Sequence, residues 1–206
     1  QELFGPKGAV PRKRPVKRKR RGRPGRKPNG PRAGSPHTTR PEISARYPIH
    51  VVMRVVPAIG SLRKRLMYQA LRYATITVAL RAGLRGETHG AFRIIPISIP
   101  RTHVHMLVEA DTKLALSRGM QSFQISAAKH LNRAASVKRI KEGGARRRGT
   151  VFPDRYHQEI IRNPTQTRRA LAYVLNNWRK HKEDEASVEA RTWKVDPFST
   201  GALFAG

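Results

Sequence analysis

Apolar positions between Tyr47 and His181 follow two different spacings along the chain. Short runs rich in β-branched and apolar residues predict strands over 49–56, 92–99, 103–109 and 150–161. Apolar residues at helical spacing predict helices over about 61–83, 111–133 and 164–181. In this order the elements spell βαββαβ followed by one more helix. The sequence therefore predicts an α+β fold of the ferredoxin-like kind, an antiparallel sheet with helices on one face and an additional C-terminal helix.

Local signals place several of these boundaries. Ser61, and Asp111 or Thr112, are suitable caps for the first two helices, and Asn163 followed by Pro164 is typical of a third helix start. The short 100–102 link predicts a hairpin between strands two and three, and Pro96 indicates a bulge or an edge position in strand two. The predicted core stripes are Leu62, Leu66, Ala70, Tyr73, Thr77 and Leu80 in the first helix, and Leu116, Met120, Phe123, Ala127 and Leu131 in the second.

Charge separates a tail from a folded domain. The chain has 43 Lys and Arg against 13 Asp and Glu in 206 residues, a formal net charge of +30. Residues 1–46 hold 15 of the basic residues and only Glu2 and Glu42 as acids, with many Pro and Gly, so they contribute +13. We expect a disordered basic tail over 1–46 and one domain over 47–206. Because that domain still carries +17, a polyanion such as nucleic acid is the expected partner of the domain itself.

The tail contains one motif of interest. The segment 19–27 resembles an AT-hook, in which Arg21 and Arg23 would enter a narrow minor groove. The alternative, which we favour, is a basic run that contacts phosphates without reading sequence.

Composition also narrows the function classes. The chain has no cysteine, which excludes disulfides, thiolate catalysis and cysteine zinc sites. No apolar run approaches the roughly 18 residues of a membrane span, and the amino end has no apolar stretch typical of a secretory signal. We therefore expect a soluble cytoplasmic protein without a membrane partner.

His103-Val104-His105 is the most informative motif. Alternate residues of a strand share a face, and their Cα atoms lie roughly 6.5 Å apart, so both imidazoles can bind one ion. A pair of histidines at a polar edge or in a core is the more common explanation of such a motif taken alone.

Further segments of the sequence support a metal site at His103 and His105. The strand with His103 and His105 precedes the helical segment 116–122, the stretch 148–157, the helix segment 169–177 and the C-terminal 196–201 segment, which reads Asp-Pro-Phe-Ser-Thr-Gly. Together and in this order they resemble the REP-associated branch of the HUH, IS200-like tyrosine transposases. Thr102 stands where that family usually has Asn, so the hydrogen bond that orients His103 is expected to differ.

The resemblance implies a metal-dependent nicking and joining enzyme that acts on single-stranded or hairpin DNA, with REP-like palindromes as one candidate target. Tyr173 would be the nucleophile and would form a 5′-phosphotyrosine link. His103, His105 and Asn177 would hold Mg²⁺ or Mn²⁺. Tyr173 and Asn177 are four residues apart on a helix and therefore share a face, so Asn177 can bind the ion that Tyr173 approaches. The resemblance also implies a bacterial, nucleoid-associated protein, either a monomer or a homodimer.

Alternatives remain open at each position. Tyr156 is a rival nucleophile, and Asn176 replaces Asn177 if the helix register differs. His50 and His157 are interpreted as surface or packing residues. Trp178 and Tyr156 are interpreted as core residues, with stacking on bases as the alternative.

The predicted DNA contacts are basic. They comprise Lys138, Arg139, Arg146, Arg147 and Arg148 before strand four, Arg63, Lys64 and Arg65 at the first helix, and Arg21 and Arg23 in the tail. The alternative functions are a non-catalytic single-strand or hairpin DNA binder of the same fold and a basic RNA-binding structural protein.

Overall fold

A computed structural model describes residues 39–84 and 91–201 of the chain. The strands are β1 (Ile49–Arg54), β2 (Phe92–Ser98), β3 (His103–Ala110) and β4 (His157–Ile160). The helices are α1 (Arg65–Leu84), α2 (Lys113–Lys141) and α3 (Pro164–Lys180), with short 3₁₀ turns at Pro57–Ile59 and Ala190–Thr192. None of the helices described here combines the length and apolar character that crossing a bilayer requires.

The four strands form one antiparallel sheet in the order β2-β3-β1-β4. This is the strand order of the ferredoxin-like βαββαβ arrangement, so the predicted fold is confirmed. β2 and β3 form the predicted hairpin, and the register of β2 shifts between Ile94 and Ile97, around Pro96. β2 lies at one end of the strand order. The bulge and the edge position predicted from Pro96 are therefore both confirmed.

The two faces of the sheet have different coverings. Val51, Val104 and Met106 belong to the main core, together with buried residues of α1 and α2 such as Leu71 and Phe123. The alternate positions of β1 and β3 point to the other face, where Leu107 packs with Val174 of α3. α3 therefore lies opposite α1 and α2, and residues 103–108 are buried on both faces.

Helix capping follows the sequence closely. The Asn163 side chain accepts a 2.8 Å hydrogen bond from the Gln166 amide, and Pro164 occupies the first turn of α3. The Thr112 hydroxyl accepts a 3.1 Å bond from the Ala115 amide, which identifies Thr112 rather than Asp111 as the cap of α2.

The predicted core stripe of α2 is confirmed, whereas that of α1 is confirmed only at Leu62 and Ala70. Leu66, Tyr73 and Leu80 are 48%, 58% and 62% exposed. The buried side is formed by Met67, Ala70, Leu71, Ala74 and Val78. Apolar residues occur on both sides of α1, so spacing alone did not identify the side that packs.

Three boundaries also differ from the prediction. Helix α1 begins at Arg65 rather than at Ser61, whose hydroxyl bonds the Arg63 amide within a preceding turn. α2 continues to Lys141, past the predicted end near residue 133. β4 is restricted to His157–Ile160, because residues 150–156 form no regular ladder.

The folded domain begins before residue 47. The Arg40 guanidinium donates to the Gln158 side chain at 2.6 Å and to the Tyr156 carbonyl at 2.9 Å. Ile43 packs against the main core. The last residues of the predicted tail thus belong to the domain, and Arg21 and Arg23 lie outside the described residues.

Candidate metal and nucleophile site

The two histidines of β3 lie on the sheet face that α3 covers. His103 and His105 are only 8% and 4% exposed, and their ring centroids are 4.7 Å apart. In register they stand opposite Arg54 and Val52 of β1. Strand alternation therefore places both imidazoles together, as the motif predicts.

Each of these imidazoles has a hydrogen-bonding partner at Nδ1. Thr102 Oγ1 lies 3.2 Å from His103 Nδ1, and His50 Nε2 lies 3.1 Å from His105 Nδ1. The Nε2 atom of His105 is buried and has no partner. An imidazole that is hydrogen-bonded at Nδ1 and open at Nε2 is the usual arrangement of a metal ligand.

The surroundings keep both histidines neutral. Burial, reinforced by His181 and Arg54, lowers the pKa of His103 to about 4. Burial, reinforced by His103, His50, His181 and Lys180, lowers the pKa of His105 to about 3. At neutral pH each ring thus retains the lone pair that a metal ion needs.

Asn177 of α3 is the buried amide of the site. It is 1% exposed, and neither its Oδ1 nor its Nδ2 has a hydrogen-bonding partner. Asn176, the alternative, is exposed and bonds the Ala172 carbonyl with its Nδ2 at 3.0 Å. A buried amide without partners is costly unless something else satisfies it. This contrast favours Asn177 over Asn176 as a ligand.

Tyr173 stands one helical turn before Asn177 and next to the histidines. Its ring meets the His105 ring edge-on with centroids 5.6 Å apart, and the His50 ring with centroids 5.9 Å apart. Tyr173 is 39% exposed, so a substrate can reach it from solvent. The Lys180 ammonium lies 5.0 Å from the centre of the same ring.

The rival tyrosine occupies a different environment. Tyr156 packs against the main core, and its ring carries the Arg40 guanidinium 3.4 Å from its centre. Burial raises the pKa of Tyr156, which opposes the phenolate form that a nucleophile requires. Trp178, 1% exposed, is a core residue, as interpreted from the sequence.

His181 is a site residue that sequence reasoning missed. It follows the last residue of α3, and its ring lies edge-on to His103 with centroids 4.8 Å apart. The potential ligand atoms of His103, His105 and His181 all lie within 4.8 Å of one another. Its position four residues after Asn177 was the available signal, because Tyr173, Asn177 and His181 recur at helical spacing on one side of α3.

The donor set fits a divalent metal. Three imidazoles that can converge, one of them with an open buried Nε2, and a buried amide without partners supply nitrogen and oxygen ligands. Imidazole suits transition ions, whereas amide oxygen and water suit Mg²⁺ and Mn²⁺.

The family model described as "Transposase IS200 like" matches residues 69–177, more than half of the chain. The chain belongs to the IS200-like transposase family. No curated protein sequence matches it.

Two solved structures resemble this transposase. The structure of a REP-associated tyrosine transposase bound to a REP hairpin has 19% sequence identity and a TM-score of 0.53, covering 82% of this chain and 84% of that chain. A candidate transposase from Deinococcus radiodurans has 10% identity and a TM-score of 0.40, covering 66% of this chain and 92% of the other. The first shows that the fold is shared.

The basic residues proposed from the sequence as DNA contacts differ in their environments. Arg146 and Arg148 in the 142–156 loop, Lys64 and Arg65 at the start of α1, and Arg139 near the end of α2 are exposed. Lys138 lies in α2 rather than in the predicted loop. The Arg147 guanidinium bonds the Asn132 side chain and the Thr150 carbonyl, so it fixes the loop against α2.

Arg63 has a different role from the one predicted. Its side chain is 8% exposed, and the guanidinium forms two hydrogen bonds of 3.0 and 2.9 Å with Asp196. Its charge also faces Glu183 at 3.5 Å and the Phe198 ring at 4.3 Å. The prediction of Arg63 as a phosphate contact is wrong, because its charge is buried in an internal ion pair.

The Arg63 network connects the elements that carry the site. Glu183, two residues after His181, also accepts a 2.9 Å bond from Arg101, two residues before His103. Asp196 belongs to the C-terminal segment, whose Phe198 carbonyl bonds the Ile99 amide at the end of β2. The network thus holds the end of α3 and the C-terminal segment against the β2-β3 hairpin.

Removing Asp196 should unfold or loosen this arrangement. Asp196→Ala leaves the Arg63 charge buried without its main partner, which typically costs about 3–5 kcal/mol. Urea denaturation should show this loss. Asp154→Ala, at an exposed acidic position, is the control and should change stability by less than about 0.5 kcal/mol. Equal stability of the two variants would contradict the assigned role.

Acid should destabilise the metal-free transposase through His103 and His105. Both have a pKa near 6.5 when unfolded but about 4 and about 3 when folded, so the unfolded state binds more protons and stability falls as the pH drops from 6.5 towards 4. At about pH 5 the loss is on the order of 2 kcal/mol per histidine. Urea denaturation in EDTA at neutral pH and at about pH 5 measures it. The loss should be smaller in His103→Gln/His105→Gln, and an equal loss would contradict the assignment.

Proposed function

We propose that this transposase is a metal-dependent enzyme that nicks and joins single-stranded or hairpin DNA through Tyr173. The observation that carries the proposal is the placement of the half-exposed Tyr173 ring 5.6 Å from His105, whose buried Nε2 is open. The solved structure that shares the fold contains a REP hairpin, which supports hairpin DNA as the substrate class. The bacterial nucleoid would be its place of action.

The proposed reaction is a phosphoryl transfer to Tyr173. The Tyr173 hydroxyl loses its proton to solvent and its oxygen attacks the scissile phosphorus, so that a phosphorus–oxygen bond forms and the bond from phosphorus to the 3′ oxygen breaks. The leaving oxygen takes a proton and becomes a 3′-OH, while the 5′ phosphate stays on Tyr173. Attack by another 3′-OH on this link reverses the step and joins the strands.

The site residues would have separate roles in the reaction. His103, His105 and Asn177 would hold Mg²⁺ or Mn²⁺, with His181 close enough to join them. An ion held there would supply polarisation of the phosphoryl oxygen and would offset the charge that develops on it. Lys180, whose ammonium lies near Tyr173, would attract the phosphate and stabilise negative charge beside the nucleophile.

Binding would rest largely on phosphate contacts. Arg146, Arg148, Lys64, Arg65 and Arg139 are exposed and could track a nucleic-acid backbone. We propose that the basic segment before residue 39, including Arg21 and Arg23, adds affinity without reading sequence.

The salt dependence of binding tests the loop arginines. Arg146→Ala/Arg148→Ala should weaken hairpin binding and reduce the slope of log affinity against log salt by roughly 0.7 to 0.9 per arginine. Fluorescence anisotropy across a salt series measures both quantities. Arg72→Ala, at an exposed position of α1 outside the loop, should leave the slope unchanged, and an equal change in both variants would contradict a contact in the loop.

Formation of a covalent adduct tests the proposed activity. The full chain is mixed with labelled hairpin oligonucleotides and Mn²⁺, and the products are separated on a denaturing gel. We expect a protein–DNA adduct and a free 3′-OH fragment, both abolished by EDTA. Tight, salt-sensitive binding without an adduct over a broad hairpin panel would contradict the enzyme and favour the DNA-binding protein.

A further inference from the structure

His50 belongs to the site, although its sequence position suggested a surface or packing residue. It lies on β1, opposite Leu107 of β3 and Glu159 of β4, so its side chain shares the sheet face of the two β3 histidines. Its ring lies nearly parallel to that of His105, with centroids 5.3 Å apart and an angle of 11° between the planes. His50 Nε2 lies 3.1 Å from His105 Nδ1.

Only one proton can occupy the bond between these two nitrogens. If His50 donates, a neutral His105 must carry its proton on Nε2, and Nε2 then has no lone pair for a metal. If His105 donates from Nδ1, its Nε2 is a free acceptor and His50 carries its own proton on Nδ1. The two arrangements differ in whether His105 can be a ligand.

The environment of the pair favours donation from His105. His105 Nε2 is buried without a hydrogen-bonding partner, so a proton there would be an unsatisfied buried donor, which is costly. On His103, Thr102 Oγ1 faces Nδ1 in the corresponding position.

We propose that His50 is a positioning residue that accepts the Nδ1 proton of His105 and thereby keeps His105 Nε2 open towards the metal. Thr102 plays the corresponding part for His103. This inference deepens the proposed function, but the tautomer that it assigns exists in the metal-free protein and does not depend on activity.

Nitrogen NMR of the full chain in EDTA tests the assignment directly. Multiple-bond ¹H–¹⁵N spectra distinguish the two neutral tautomers of a histidine, and His105 is identified by comparison with His105→Gln. At neutral pH we expect His105 to carry its proton on Nδ1. A proton on Nε2 of His105 would overturn the proposal, and the spectrum of the native protein alone is enough to show it.

Two substitutions separate hydrogen bonding from packing. His50→Phe keeps an aromatic ring at this position but has no acceptor, so the Nδ1 preference of His105 should be lost and Mn²⁺ affinity should fall about 10- to 100-fold. His50→Gln offers an amide oxygen and should restore most of that affinity. Titration calorimetry with Mn²⁺ measures the affinity, and the metal-free spectra report the tautomer in each variant.

A matched control and the opposite outcome complete the test. His130→Phe removes an imidazole that stacks on Tyr73 of α1, away from the site, and should leave Mn²⁺ affinity unchanged. If His50→Phe keeps both the tautomer and the affinity, the proposal fails. If native protein shows the Nδ1 tautomer but forms no DNA adduct, the positioning role stands and the proposed enzyme function fails.

Discussion

Tyr173→Phe should lose covalent adduct formation by roughly 10³-fold or more, since removing a nucleophile costs that much or more in enzymes that depend on one. Phenylalanine lacks only the oxygen that attacks phosphorus. The ring should remain edge-on to His105, and because Tyr173 is 39% exposed, the fold should be unaffected. Gel quantification of the adduct, with hairpin binding measured in parallel, distinguishes lost chemistry from lost affinity.

Tyr156→Phe is the matched control for this prediction. Tyr156 packs against the main core with Arg40 over its ring, so its phenylalanine variant should retain adduct formation within a few-fold. Loss of the adduct in Tyr156→Phe with retention in Tyr173→Phe would reverse the assignment of the nucleophile.

Replacing His105 should remove metal dependence together with activity. His105→Phe preserves the volume of a buried ring but supplies no nitrogen, so we expect Mn²⁺ affinity and nicking rate each to fall by roughly 100-fold or more. Calorimetry and gel assays measure the two effects. His130→Phe should match native protein in both assays, and a His105→Phe protein that binds Mn²⁺ normally would exclude His105 as a ligand.

Strand alternation made part of the site predictable. His103 and His105 had to share a face once their segment was a strand, and the buried rings lie together as expected. The cap at Asn163 and the apolar stripe of α2 were equally local properties. Such features depend on neighbours within a few residues, which a single sequence contains.

Contacts between distant elements were not predictable. Nothing local indicates that His50 of β1 meets His105 across the sheet, or that Asp196 closes on Arg63. A run of basic residues such as 63–65 is typical of a solvated or DNA-binding face, yet the fold buries Arg63 and leaves Lys64 and Arg65 exposed. The α1 stripe was predicted only in part for the same reason, since packing partners decide which side is buried.

The most direct measurement is mass-spectrometric mapping of the covalent adduct that forms when the protein nicks a hairpin substrate in Mn²⁺. The account predicts a single modified peptide in which Tyr173 carries a 5′-linked phosphate and nucleotide. Modification of Tyr156 or of any other residue, or a 3′-linked nucleotide, would contradict it.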